Sequence, residues 1–221
     1  MHDSALFHFR GQRPCACPPS DIPARPPRAV LTGGPGGGKT AVLEVVRRHF
    51  CRHVVVLPEA ASMLFSGGFP RASHLAARQA AQRAIFHVQD EIERLAVAED
   101  DATLVLCDRG VVDGSAYWPE ESSTSLFDEV HETRDEALAR YVAVIHLRTP
   151  DARAYTHSNP MRVESAVEAG VIDQRIAAAW AGHPKRVFVE PEADFVAKLR
   201  ASLGAIGELL PPACRNHGWH G

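Results

Sequence analysis

The run Gly33-Gly34-Pro35-Gly36-Gly37-Gly38-Lys39-Thr40 has the form GxxxxGK[ST], and no other feature constrains this chain as tightly. It follows an apolar stretch, Arg28-Ala29-Val30-Leu31-Thr32, that reads as a buried strand. Residues 41–48 after it read as a helix. Strand, glycine-rich turn and helix form the setting in which such a loop cradles phosphates. Glycines admit positive φ and bring backbone N–H groups close to an anion, and the helix N-terminus adds its partial positive charge there. The pattern assigns residues 33–40 to a nucleoside triphosphate, with Lys39 on the β- and γ-phosphates and the Thr40 hydroxyl on Mg²⁺. ATP is the expected nucleotide, with GTP left open.

At 221 residues, one α/β domain of ordinary size is expected. A formal charge of −3 argues against coating nucleic acid or an anionic membrane. Lys39, Lys185 and Lys198 are the only lysines, so one of three stands inside the phosphate loop, where a compact point charge is wanted. Cys15, Cys17, Cys51, Cys107 and Cys214 form no repeated pair, and the scattered histidines have no H-E-x-x-H spacing, so no transition-metal site is expected. Cys107 reads as packing in an apolar strand. A reduced, cytoplasmic protein with no membrane span is the resulting expectation. Oligomeric state is encoded by no motif.

Strand and helix signals alternate, the mark of a mostly parallel five-stranded sheet covered by helices on both faces. The expected strands are 28–32, 52–57, 103–107, 141–147 and 186–189. A long helix is expected over 74–98 with Ala81, Ile85, Val88, Ile92 and Leu95 as its apolar stripe and Gln89 exposed, and a closing helix near 193–209. Residues 1–27, rich in proline, read as an irregular arm, and 211–221 as a C-terminal tail with His217 and His220. The P-loop domain is then 28–210. Within it, 118–134 reads as a surface loop and about 150–182 as a helical lid insertion.

Carboxylates at the carboxyl ends of the strands are the candidates for chemistry, because ligands of open α/β sheets bind there. Asp108, after Leu104-Val105-Leu106-Cys107, is expected to orient Mg²⁺ together with Thr40. Arg109 either holds a phosphate or pairs with a neighbouring carboxylate. Glu59, ending the second strand, faces the place where an acceptor hydroxyl would be bound and deprotonated. Asp113 and Tyr117, one helical turn apart, either line the acceptor site or form a surface pair. In the lid, Arg162 is the cation expected to close over the phosphates, with Arg153 and Arg148 as competitors and a salt bridge from Arg162 to Glu164 or Asp151 as the alternative.

Taken in order, the phosphate loop, Glu59-Ala60-Ala61, Gln89-Asp90-Glu91-Ile92-Glu93, the run Asp108-Arg109-Gly110 to Tyr117, Asn159-Pro160-Met161-Arg162-Val163-Glu164 and Trp180-Ala181-Gly182-His183-Pro184 resemble a known pattern. It is that of the small bacterial P-loop family labelled AAA-type ATPase, related to the ATP-binding ribosylnicotinamide kinase domain of NadR. The resemblance covers roughly residues 28–209. It implies a nucleoside-kinase-like sheet, ATP and Mg²⁺ at the loop, and Arg162 in the lid. No second arginine motif of the ring-forming motors is present, so a hexameric remodelling machine is not expected.

Two readings of function follow. One is Mg²⁺-dependent phosphoryl transfer from ATP to the hydroxyl of a small, nucleoside-like acceptor not identified by any signature in the chain. The other is a regulatory NTPase whose hydrolysis of ATP or GTP switches the lid for a partner. Nucleic acid is not an expected partner of either.

Overall fold

Valine, leucine and isoleucine dominate the segments that pair edge to edge. In the computed structural model, which describes residues 22–98, 102–150, 166–191 and 194–215, these are β1 (Arg28–Thr32), β2 (Val54–Leu57), β3 (Leu104–Asp108), β4 (Ala143–Leu147) and β5 (Arg186–Val189). They lie in the order β2-β3-β1-β4-β5, and every pairing is parallel. The expected α/β P-loop fold is thus present, with β1 at the centre and all carboxyl ends on one edge.

Successive residues of each strand serve opposite faces. On one face Ala29, Leu31, Val56, Leu106 and Ile145 meet Val42, Leu43 and Val46 of α1 (Lys39–His49), Leu203 and Ile206 of α8 (Phe195–Gly207) and Cys214 of α9 (Pro212–Arg215). On the other, Val30, Val55, Val105, Cys107 and Val144 meet Phe86 of α3 (Leu75–Ala98), Val111 and Val112 of a 3₁₀ turn, Leu126 of α5 (Leu126–Val130), Leu138 of α6 (Arg134–Ala139), and Ile176 of α7 (Ala166–Ala179) with Trp180 just beyond it. Two short helices complete the order: α2 (Ala60–Ser66) follows β2, and α4 (Gly114–Tyr117) follows the 3₁₀ turn. Burial on both faces holds for β1 to β4, whereas β5 is an edge strand whose Phe188 is 41% exposed.

Four expectations need correction. The buried face of α3 is Ala81, Phe86, Gln89, Asp90, Glu93 and Ala96, and Leu95 is 42% exposed. Polar groups turn inward because partners wait for them. Glu93 accepts hydrogen bonds from Arg28 (3.0 Å), Tyr141 (2.7 Å) and Gln89 (2.8 Å), while Asp90 pairs with Arg140 and Arg94. A buried carboxylate is tolerated when it is paired and hydrogen-bonded in this way.

Residues 118–134 are not a plain loop, because Ser125 with Asp128 and Thr133 with Glu136 form capping boxes that start α5 and α6. The later part of the expected lid is core: α7 contributes Ile176, and Trp180 follows it, both fully buried. Residues 212–215 form α9 and bury Cys214 instead of trailing away. Among the described residues, no helix is long and apolar enough to cross a membrane.

Candidate functional site

β1 delivers the chain into the phosphate loop at the central carboxyl end of the sheet. Gly33, Gly36 and Gly38 adopt φ of 129°, 79° and 93°. Gly33 has no substitute, since a Cβ there would stand 2.1 Å from the Leu147 carbonyl oxygen. The helix α1 opens at Lys39 behind Gly38, which offers no capping side chain, so first-turn amides are left for an anion. Lys39 Nζ donates to the carbonyls of Gly33 (2.8 Å) and Gly34 (3.0 Å). Burial, and then the charge of Arg109, lower its pKa to about 8, against the pull of Asp108, Glu59 and Asp113. Glycine amides, a helix N-terminus and a desolvated ammonium together fit a polyphosphate.

Asp108 is the last residue of β3. Its Oδ1 is buried and has no hydrogen-bond partner among the described residues. Burial pushes its pKa up to about 6, with Lys39 opposing and Glu59 adding to the rise. A buried oxygen without a donor is what a divalent cation would satisfy, and Thr40, exposed in the first turn of α1, supplies a hydroxyl of the right type.

Arg109 has a φ of 70°, a left-handed conformation that costs a non-glycine residue about 1–3 kcal/mol. Its Nε donates to Glu59 Oε1 (2.7 Å), and its Nη1 to Asp113 Oδ1 and the Gly33 carbonyl, both at 3.3 Å. Of the two roles open to it, pairing with carboxylates is the one seen. Glu59 directly precedes α2 and also accepts from Ser62 Oγ (2.5 Å). Burial would raise its pKa, but Arg109 and Ser62 outweigh that and hold the carboxyl below its ordinary range. An ionised acceptor therefore stands at the crevice edge.

Two aspartates carry more of the site than their sequence context suggests. Asp113 is 3% exposed, so it forms no surface pair, and the Arg109 guanidinium that it holds also lies 5.6 Å from the centre of the Tyr117 ring. It accepts from the Thr32 hydroxyl, Arg109, the Gly110 amide (3.1 Å) and Trp180 Nε1 (3.0 Å). Asp173 of α7 accepts from the Gly34 amide (2.9 Å), bonds His146 Nε2 (2.8 Å) and pairs with Arg148 (2.9 Å). Thr149 closes the same corner by donating to the Pro35 carbonyl (3.1 Å). Gln89, expected to be exposed, is buried against Glu93 and away from solvent. Arg162, with Asp151, Arg153 and Glu164, lies outside the described residues.

The fold recurs among solved structures at low identity. A crystal structure of NadR protein in complex with NR superposes with a TM-score of 0.64 at 15% identity, over 84% of this chain and 52% of that one. The chain therefore spans about half the length of that protein. A thymidylate kinase from Candida albicans superposes with a TM-score of 0.55 at 12% identity, over 83% of this chain and 92% of that one. Among curated proteins no match is found. Residues 28–198 match the model of an AAA domain family, and the chain belongs to that family.

Proposed function

We propose that this protein transfers the terminal phosphoryl group of ATP to a hydroxyl of a small, nucleoside-like molecule. The observation that carries the reading is the meeting of two carboxylates from neighbouring strands beside one ammonium. Glu59 after β2 and Asp108 at the end of β3 both act electrostatically on Lys39. A nucleotide switch needs only the second acid; an acceptor-facing acid such as Glu59 is what a kinase needs besides.

In this reading Lys39 and the amides of residues 33–38 hold the phosphates. Thr40 and Asp108 would hold Mg²⁺, which when bound neutralises charge on the transferring group. Glu59, ionised and steadied by Arg109, accepts the hydrogen bond of the acceptor hydroxyl and fixes its direction of approach. Its low pKa makes it an orienting group first and a proton acceptor only as the hydroxyl loses basicity during transfer. Arg109 acts by positioning Glu59. Arg162 keeps the part of the closing lid cation, within a domain spanning 28–210. The likeness to a thymidylate kinase and to NadR is compatible with this chemistry, and the substrate class is the proposal's own.

The test follows the γ-phosphate by ³¹P NMR with a panel of nucleosides and simple alcohols. Transfer to one acceptor hydroxyl, lost in Glu59→Gln, supports the kinase. Release of inorganic phosphate alone, at a rate no acceptor alters, favours the switch.

A further inference from the structure

At the end of the strands remote from the phosphate loop, three ligand-type side chains from distant parts of the chain converge. Cys51 begins the turn after α1, its carbonyl accepting from the Val54 amide at 3.0 Å. His53 immediately precedes β2, and Cys214 stands on α9. Their donor atoms, two sulfurs and an imidazole nitrogen, all lie within 4.8 Å of one another. Cys214 Sγ is 3.9 Å from His53 Nδ1. None of the three residues is more than 1% exposed.

We propose that Cys51, His53 and Cys214 form a binding site for a thiophilic divalent cation of the zinc class. A tetrahedral ion with sulfur at about 2.3 Å and nitrogen at about 2.1 Å separates its ligand atoms by roughly 3.6–3.8 Å. The observed sulfur-to-nitrogen distance is already close to that, and side-chain torsion brings the rest together. Two thiolates, a neutral imidazole and a divalent ion sum to zero charge, which a buried site tolerates far better than any one of these charges alone.

The surroundings are built to hold the ligands. Thr103, at the entry to β3, donates through its amide (2.8 Å) and its hydroxyl (3.1 Å) to the His53 carbonyl, and its hydroxyl lies 3.7 Å from Cys214 Sγ. Backbone and thiol are thereby steadied from the same residue, as ligands of metal sites commonly are. Soft sulfur donors select zinc over magnesium, so this site does not compete with the oxygen ligands at the phosphate loop. The 11 residues of α1, about 16 Å long, separate the two ends. A bound ion would staple α9 to the start of β2 and close that face of the sheet.

The experiment uses the full chain, reduced, stripped of metal and titrated with Co²⁺ as a spectroscopic probe. One equivalent is expected to give thiolate-to-cobalt charge-transfer absorption with the visible bands of a tetrahedral site, bleached by Zn²⁺. The absorption should vanish in Cys51→Ser and in Cys214→Ser, and persist when Cys15 and Cys17 are both changed to Ser. A signal that survives both of the first two variants, or none in the parent protein, overturns the site. So does a Cys51–Cys214 disulfide recovered from the non-reduced protein together with failure to bind Co²⁺ after reduction. Should the serine variants fail to fold, the parent protein still decides: Zn²⁺ must raise its Tm where equimolar Mg²⁺ does not, and equal melting with both ions refutes the proposal.

Discussion

Asp173 Oδ1, on α7, accepts a 2.9 Å hydrogen bond from the backbone amide of Gly34 in the phosphate loop. The same carboxylate holds His146 and Arg148, so one side chain fastens α7 to the loop and to β4. Its side chain is only 4% exposed. Removing it leaves the His146 imidazole and the Gly34 amide without their acceptor. Asp173→Ala should therefore cost about 3–5 kcal/mol, the range for breaking a buried ion pair. The Tm should fall on the order of 10 °C for a chain of this size. Asp173→Asn, which still accepts from Gly34, should cost less, and thermal melts of the two variants check the order.

The same residue sets an acid limit. Burial would raise the Asp173 pKa, but His146, the Gly34 amide and Arg148 overcome it and hold the carboxyl low. A folded-state pKa below the unfolded value of about 3.9 gives stability that is full above that pH and lost as pH falls through the folded pKa. Urea melts at stepped pH should lose this contribution below about pH 4 in the parent protein and show no such loss in Asp173→Asn.

Asp108 behaves in the opposite sense. Its pKa of about 6 means that the folded state binds the extra proton between roughly pH 4 and 6, so stability falls as pH rises through that window. Two units correspond to as much as about 3 kcal/mol at neutral pH. Asp108→Asn should thus raise the Tm of the nucleotide-free protein at pH 7.5 and change it little at the acid edge of that window. The same variant should lose Mg²⁺-dependent turnover. Melting and activity measured side by side test whether the carboxylate is kept charged for the metal at the expense of stability.

For Lys39 the prediction concerns affinity. With its pKa lowered to about 8, the ammonium is partly lost in mildly alkaline solution, and triphosphate affinity should weaken above that pH. Lys39→Met, which keeps length and removes charge, should abolish that pH dependence and weaken binding at least about tenfold, the factor that 1.4 kcal/mol represents. Fluorescent-nucleotide titrations across pH 6.5–9.5 provide the check.

Glu59→Gln should lower acceptor-dependent turnover about 10²- to 10⁴-fold, the span attributed to a positioned acid or base. The KM for ATP should move only a few-fold, because in the proposed reaction Glu59 serves the acceptor and not the nucleotide. If KM for ATP and kcat collapse together, Glu59 serves the nucleotide site through Arg109, to which it bonds at 2.7 Å.

The elements that obey local rules are legible in the amino-acid sequence itself. The phosphate loop, the apolar strands and the 24-residue α3 announce themselves through glycine spacing and periodicity. The strand order is not announced, because parallel neighbours such as β1 and β4 are paired across a long stretch of sequence. The inner face of α3 is not legible because Glu93 turns inward to Arg28 and Tyr141, which come from distant parts of the chain, and Gln89 turns inward to donate to Glu93.

Asp173 was similarly hidden, at 139 residues from the amide it holds. Cys51, His53 and Cys214 carry no metal spacing, since His53 and Cys214 are 161 residues apart. By contrast, Ser125 with Asp128 and Thr133 with Glu136 were plain capping boxes, so α5 and α6 were within reach of the sequence.

Calorimetric titration of the full chain with ATP in the presence of Mg²⁺ tests the central claim most directly. A saturable heat with one site per chain, abolished in Lys39→Ala, is the predicted result. Absence of heat from the parent protein, or an unchanged isotherm in the variant, would contradict it.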